Sequence, residues 1–254
     1  MDVMCGRYAT ARKRQELMDE FGIGLDATED ALEADYNVAP TKPVPAVLER
    51  ASKEAPEQVI RQLRMLRWGL VPSWAKDLSG GARMINARAE TVDEKPAFRK
   101  AFAKRRCLLP ADGYYEWYVL EGDKDAKKPR KQPFYIRPAN GEVMAMAGLY
   151  EFWKSPDDEW VTTCTVITTA APDDLGRIHD RMPMVVPGDR WDDWLDPART
   201  DPATVRELLV PAMAGTMDAF PVSNLVSSVK NNGPELIQPL SEGDISGKPS
   251  DALF

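Results

Sequence analysis

The run WVTTCTVITTAA (160–171) constrains this chain more than any other segment. Eight of its twelve residues are β-branched, a composition that loses side-chain freedom in a helix and packs well on a pleated surface. The segment is therefore read as a strand, and a strand needs others to pair with. PFYIRP (133–138) and VMAMAGLYEFW (143–153) supply them just upstream. RRCLLPADGYYEWYV (105–119) is strand-rich with a break at Pro110–Gly113, and RQLRMLRWGL (61–70) alternates, with Gln62, Arg64 and Arg67 set opposite Leu63, Met65 and Trp68. In NVAPTKPVPAVLER the prolines are too dense for a helix, so it reads as an extended approach and a strand over 44–49. FPVSNLV (220–226) reads as a late strand.

Helices are few and short by the same reasoning. Residues 10–22 read as one, capped by Thr10, with Leu17, Met18 and Phe21 as its apolar stripe and Gly22 as its end. Another begins at Glu94–Pro96 and turns Phe98, Ala101 and Phe102 inward. RWDDWL and DPATVRELLV read as helical, the second with Asp201 as cap and Pro202 in the first position. DDLGRIHDRMPMVV combines a short helix, a turn and a strand, and 71–91 reads as loop, broken by Pro72, Gly80 and Gly81. No repeat and no long linker divides the chain. The expectation is one α+β domain over 1–254 with a mixed, mostly antiparallel, barrel-like sheet and flanking helices, residues 241–254 being a tail.

Composition removes several function classes. With 254 residues, 43% of them hydrophobic, the chain can bury a sizeable core, yet no apolar run approaches the roughly 20 residues of a membrane span. There is no signal-peptide core, so a cytoplasmic protein is expected. Three cysteines without a CxxC, and a single histidine, argue against a disulfide framework and a zinc site, and no cofactor is implied. Net charge is −7, which counts against bulk duplex binding. Basic stretches at Arg99–Arg106 and Lys124–Lys131, and an acidic one at Asp26–Asp35, are read first as solvated faces.

Four short stretches set polar groups beside glycine, proline or aromatics: CGR (5–7), NAR with Glu90 (86–90), ADGYYEW (111–117) and IHDRMP (178–183). Cys5 is either a small buried hydrophobe or a reagent. As a first residue it carries a thiol and an α-amine with reference pKa values of about 8.5 and about 7.7–8.0, and such a 1,2-aminothiol attacks an aldehyde twice, closing a thiazolidine. Glu116 is either an outward carboxylate or one held among aromatics, where desolvation disfavours its charged form and suits it to acid/base work. His179 is either structural or tuned by the neighbouring Asp180 and Arg181. Asn86 can donate and accept at once, or serve a turn. Arg7, Arg88 and Arg181 carry forked donors that suit phosphate. Trp68, Trp74 and Trp117 either pack the core or stack on bases.

Taken in order, MCGRY, WGLVPSW, INARAET, LLPADGYYEW, AGLYEFW and IHDRMP resemble the SRAP family, the SOS-response-associated peptidase-like proteins, from Cys5 to about Leu240. The resemblance implies a single α+β domain with a barrel-like core and a role in DNA damage. It implies binding of single-stranded DNA and covalent capture of abasic sites through an N-terminal cysteine. In that reading Cys5 is the nucleophile, and Asn86 orients the cysteine terminus and the opened sugar. Glu116 is acid/base in Schiff-base formation and in removal of a leading methionine. His179 donates to the sugar oxygen. Arg7, Arg88 and Arg181 contact the DNA backbone, while Trp74 and neighbouring Trp68 mark the aromatic region where the strand is bent and unstacked. A nucleoid-associated monomer is expected, with neither metal nor membrane.

One departure bears on the chemistry. The chain begins MDVMC, and with residues 1–4 attached the nitrogen of Cys5 is an amide, which blocks thiazolidine formation. The readings are a start at Met4, self-cleavage of a short leader, or a copy that binds DNA without crosslinking. A cysteine peptidase acting on other proteins and a non-catalytic single-strand binder remain as alternatives of other classes.

Overall fold

The computed structural model describes residues 6–29, 31–51, 58–120, 127, 129–241 and 243, without the side chains of 173 and 174. In chain order the strands are β1 (Tyr8–Thr10), β2 (Leu25–Asp26), β3 (Asp35–Val38), β4 (Pro43–Ala51), β5 (Val59–Trp68), β6 (Asn86–Arg88), β7 (Arg106–Ala111), β8 (Gly113–Val119), β9 (Lys131–Pro138), β10 (Met144–Lys154), β11 (Trp160–Ala170), β12 (Arg181–Pro183) and β13 (Met217–Pro221). The helices are α1 (Arg14–Glu20), α2 (Arg99–Lys104), α3 (Asp173–Gly176), α4 (Trp191–Leu195) and α5 (Pro202–Arg206).

The β-branched run is β11, and it closes the fold. On one edge it pairs antiparallel with β10, which continues antiparallel through β7 and β4 to β5. On its other edge β11 pairs parallel with β5 through Thr163↔Arg67 and Cys164↔Trp68, so five strands form a closed mixed barrel. The fold is thus a single-domain α+β architecture with a mixed, mostly antiparallel core. A second, antiparallel sheet in the order β13-β9-β8-β1-β3 stands against it. No helix among the described residues is long and apolar enough to cross a membrane.

Period-two alternation divides the apolar residues. Val44, Ala46 and Leu48 of β4, Leu66 and Trp68 of β5, Cys107 and Leu109 of β7, and Cys164 and Val166 of β11 fill the inner cluster, joined by Tyr8, Tyr114, Tyr118 and Phe134 of the second sheet. The alternate residues Val47, Leu63, Leu108, Ala147 and Ile167 face out, where α1, α2, α4 and α5 cover them with Leu17, Phe102, Trp194 and Val205. Trp68 thus shares a face with Gln62 and Arg64 instead of opposing them: the sequence reading had the phase wrong over the last residues of β5.

Other local differences have simple causes. Thr10 does not cap a helix, because Tyr8–Thr10 pairs with both β3 and β8. Helix α1 starts later, where the Glu16 carboxylate accepts the Lys13 backbone N–H at 3.3 Å. INAR is not loop: β6 pairs parallel with β11, Val166↔Asn86 through Thr168↔Arg88. Gly69 permits the entry to that segment, since its φ is +125° and a Cβ there would lie 2.7 Å from the Gly81 carbonyl oxygen. Asp201 caps α5 as expected, accepting from the Ala203 N–H at 3.1 Å. The tail beyond 243, and all but Lys127, Arg130 and Lys131 of the second basic stretch, lie outside the described residues.

Candidate active site

The site is built where the second sheet meets the C-terminal end of β11. Tyr8 and Ala9 of β1 pair with Tyr114 and Gly113 of β8, and the Tyr115 N–H donates to the Arg7 carbonyl at 3.0 Å. The same register sets Gly6 opposite Glu116. Along β8, Tyr115 belongs to an outer cluster with Ala9 and Tyr135, and Trp117 packs against it, whereas Tyr114 and Tyr118 face the inner cluster. Glu116 lies between the last two in phase, so its carboxyl points inward, and it is only 3% exposed. Cys5 lies outside the described residues; the chain that leads to it arrives alongside this buried carboxyl.

Asn86 is the partner of Val166, an inner-cluster residue, so it faces the same interior as Glu116. His179 follows α3 in a turn whose Leu175 and Ile178 belong to that cluster too. Its Nδ1 accepts the Arg181 backbone N–H at 3.1 Å. Asp180 Oδ1 lies equally close, at 3.1 Å, a contact that attracts only a protonated ring. With Nδ1 engaged by a backbone donor, Nε2 is the nitrogen left to face a ligand.

The three arginines differ. Arg181 forks onto Glu90 with bonds of 2.6 and 3.0 Å and also donates to the Thr168 carbonyl at 2.7 Å. Those bonds hold the Glu90 carboxyl below its ordinary range, with the charges of Arg181 and Arg88 adding to the effect. Arg88 is exposed on β6. Arg7 donates to Asn37 Oδ1 at 2.6 Å and to the Val226 carbonyl at 2.9 Å, and its guanidinium carbon lies 5.9 Å from the centre of the Trp117 ring. Burial pulls the Arg7 pKa down.

The tryptophans separate as well. Trp68 has no exposed surface and donates to the Ile85 carbonyl at 2.9 Å, so it packs and presents no stacking face. Trp74 is 57% exposed. Trp117 is half-buried, donates to Ser227 Oγ at 3.1 Å, and borders a surface pocket of about 580 Å³ with Gly6, Arg7, Pro40, Lys42 and Val229. Sequence reasoning missed the wall contributed by the 224–231 turn. Asn37 is fully buried and donates to the carbonyls of Val226, Ser228 and Asn231, pinning that turn beside Arg7. No local spacing signals a contact between residues some 190 positions apart. Among the described residues no His, Cys, Asp and Glu side chains group as metal ligands.

Comparison with known proteins places this arrangement. Residues 4–229 match the model of the family described as SOS response associated peptidase (SRAP). The abasic site processing protein YoqW of Bacillus subtilis is 40% identical over 235 residues, covering 92% of this chain and 99% of that protein. The abasic site processing protein HMCES of Gallus gallus is 32% identical over 233 residues, covering 82% and 67%. A crystal structure of a protein from Bacteroides thetaiotaomicron superposes with a TM-score of 0.78 at 26% identity, covering 93% of this chain and all of the other. The chain belongs to the SRAP family.

Proposed function

We propose that this chain processes abasic sites, capturing them in single-stranded DNA through Cys5 in the form that begins at Met4 and has lost that methionine. The observation that carries the proposal is the buried Glu116 carboxyl beside the incoming N-terminal strand, on a face shared with Asn86. The relatives named for abasic-site processing support the substrate class.

The chemistry balances without a cofactor. An abasic sugar opens to an aldehyde as its anomeric hydroxyl loses a proton and its ring oxygen gains one, with His179 Nε2 placed to hydrogen-bond that ring oxygen. The Cys5 amine adds to the aldehyde carbon. Glu116 protonates the departing hydroxyl, and water leaves as the imine forms. The thiolate then adds to the imine carbon, the thiol proton passes to the nitrogen, and the thiazolidine closes. Asn86, with a donor and an acceptor, orients the amine and the opened sugar. The same carboxyl serves the prior hydrolysis of the Met4–Cys5 bond, which is the peptidase activity this reading requires. Of the arginines, Arg88 is open to a phosphate; Arg7 and Arg181 must share donors already given to protein oxygens. Trp74 and Trp117 offer ring surface to neighbouring bases.

The test is a denaturing gel. Protein started at Met4 and protein started at Met1 are each mixed with a single-stranded oligonucleotide carrying one abasic site. A shifted band from the Met4 form alone is the expected result. A band from both forms means that the leader is removed or that the free amine is dispensable. No band from either overturns covalent capture.

A further inference from the structure

The opposite end of the barrel holds a second polar cluster, which the proposed reaction does not use. On the inner face of β4 and β5, Arg50 and Arg64 continue the rows of Ala46–Leu48 and Leu66–Trp68 toward the mouth. Across the barrel Tyr150 and Phe152 of β10 point to the same space, their rings 5.6 Å apart at 90°. The Arg50 guanidinium lies 4.9 Å over the Phe152 ring, and Arg64 Nε donates to Gln62 Oε1 at 2.9 Å. Arg64 feels both Arg50 and the Tyr150 hydroxyl, and its own charged form is disfavoured first by burial and then by Arg50. The Tyr150 ring is 4% exposed. Neither arginine makes an ion pair with a carboxylate among the described residues.

Two like charges in a partly desolvated mouth repel, and neither an aromatic face nor a neutral amide neutralises them. Two forked donors and a phenol hydroxyl converging there match a tetrahedral oxyanion, which accepts several charge-assisted hydrogen bonds at once. On the scale of β11 Asn86 is level with Val166, Tyr150 with Cys164 and Phe152 with Thr162, while Arg64 lies three residues before Arg67, itself level with Thr163, so the cluster runs from roughly 7 Å to roughly 20 Å away from Asn86 at ~3.3 Å per residue. Its arginines are therefore separate from the candidate active site.

We propose that Arg50, Arg64 and Tyr150 form a phosphate-binding site at the far mouth of the barrel. The phosphate is either a free ion or a phosphodiester of a strand that extends beyond the active site, and the two sources share this chemistry.

The first measurement is thermal unfolding of the whole chain against inorganic phosphate, with sodium chloride at matched ionic strength as control. The midpoint rises with phosphate and not with chloride. Arg50→Gln weakens phosphate roughly ten-fold, the value of one charge-assisted bond pair. Tyr150→Phe, which keeps the ring and the fold, weakens it several-fold. Arg50→Gln leaves capture of an abasic oligonucleotide unchanged. Binding of intact single strands of increasing length then separates the sources: a loss in Arg50→Gln confined to longer strands assigns a phosphodiester, and equal affinity at every length assigns the free ion. A midpoint that phosphate does not move, or that moves equally in the parent, Arg50→Gln and Tyr150→Phe, overturns the site.

Discussion

Arg106 and Glu116 are equally buried, each 3% exposed, yet they are housed in opposite ways. Arg106 opens β7 and spends five N–H donors on carbonyls: Phe102 and Ala103 at the end of α2, and Trp194, Asp196 and Arg199 at and beyond the end of α4. It satisfies the carbonyls that two helix ends leave open. Burial lowers its pKa to about 10, far above neutrality, so it stays charged. Glu116 sits instead on the inward face of β8, opposite the chain's first described residues and toward the interior that Asn86 also faces. A buried charge enclosed by backbone is architecture; a buried carboxyl opposite the first described residues is the group the proposed chemistry calls on.

The largest effect tests the architectural side. Arg106→Ala removes the guanidinium donors from five carbonyls and is expected to cost about 3–5 kcal/mol of stability by denaturant unfolding. A loss under about 1 kcal/mol would mean that water replaces the guanidinium and that the contrast with Glu116 is false. Next, Glu116→Gln keeps the shape and removes the proton carrier. Capture of an abasic strand should slow by about 10²–10⁴-fold while the unfolding midpoint barely moves. An unchanged rate with lowered stability would make Glu116 structural, like Arg106.

Two smaller effects sharpen the comparison on β6. Arg88→Ala should weaken non-covalent binding of single strands on every sequence and lower the salt slope by about one phosphate contact. An unaltered slope removes Arg88 from the phosphate path. The Glu90–Arg181 pair should contribute less than about 1 kcal/mol, because the Glu90 side chain is 51% exposed and solvent screens the pair. Its folded pKa is lowered, so that contribution is present above the unfolded value of about 4.3 and disappears as pH falls through the folded value. Glu90→Gln should therefore be slightly less stable than the parent at neutral pH and equal to it in strong acid. Pairs of unfolding curves across that range decide the point.

Much of this was legible in the sequence, for physical reasons that vary by element. The strands β10 and β11 announced themselves because burial on both faces demands continuous apolar and β-branched runs. Helix α5 was legible from its cap and proline. The strand β6 was not, since three residues carry no period and their pairing with β11 is set 80 positions away. Trp68 read as a stacking candidate because composition cannot say which face of a closing barrel a residue meets. The polar residues of the candidate site, Asn86, Glu116 and His179, were singled out from their local context and the resemblance. That Glu116 and Asn86 share one interior followed only from the alternation phase of β8 and β11. The second wall, held by Asn37 against the 224–231 turn, left no trace in any local pattern.

The central claim is that Cys5 and an abasic aldehyde join with loss of one water. The direct measurement is the intact mass of the adduct formed by Met4-started protein, after removal of unbound DNA under denaturing conditions. The account predicts the mass of the methionine-free chain plus the oligonucleotide minus one water, with no adduct from Cys5→Ala. An adduct that retains that water, or one that Cys5→Ala forms equally well, would contradict it.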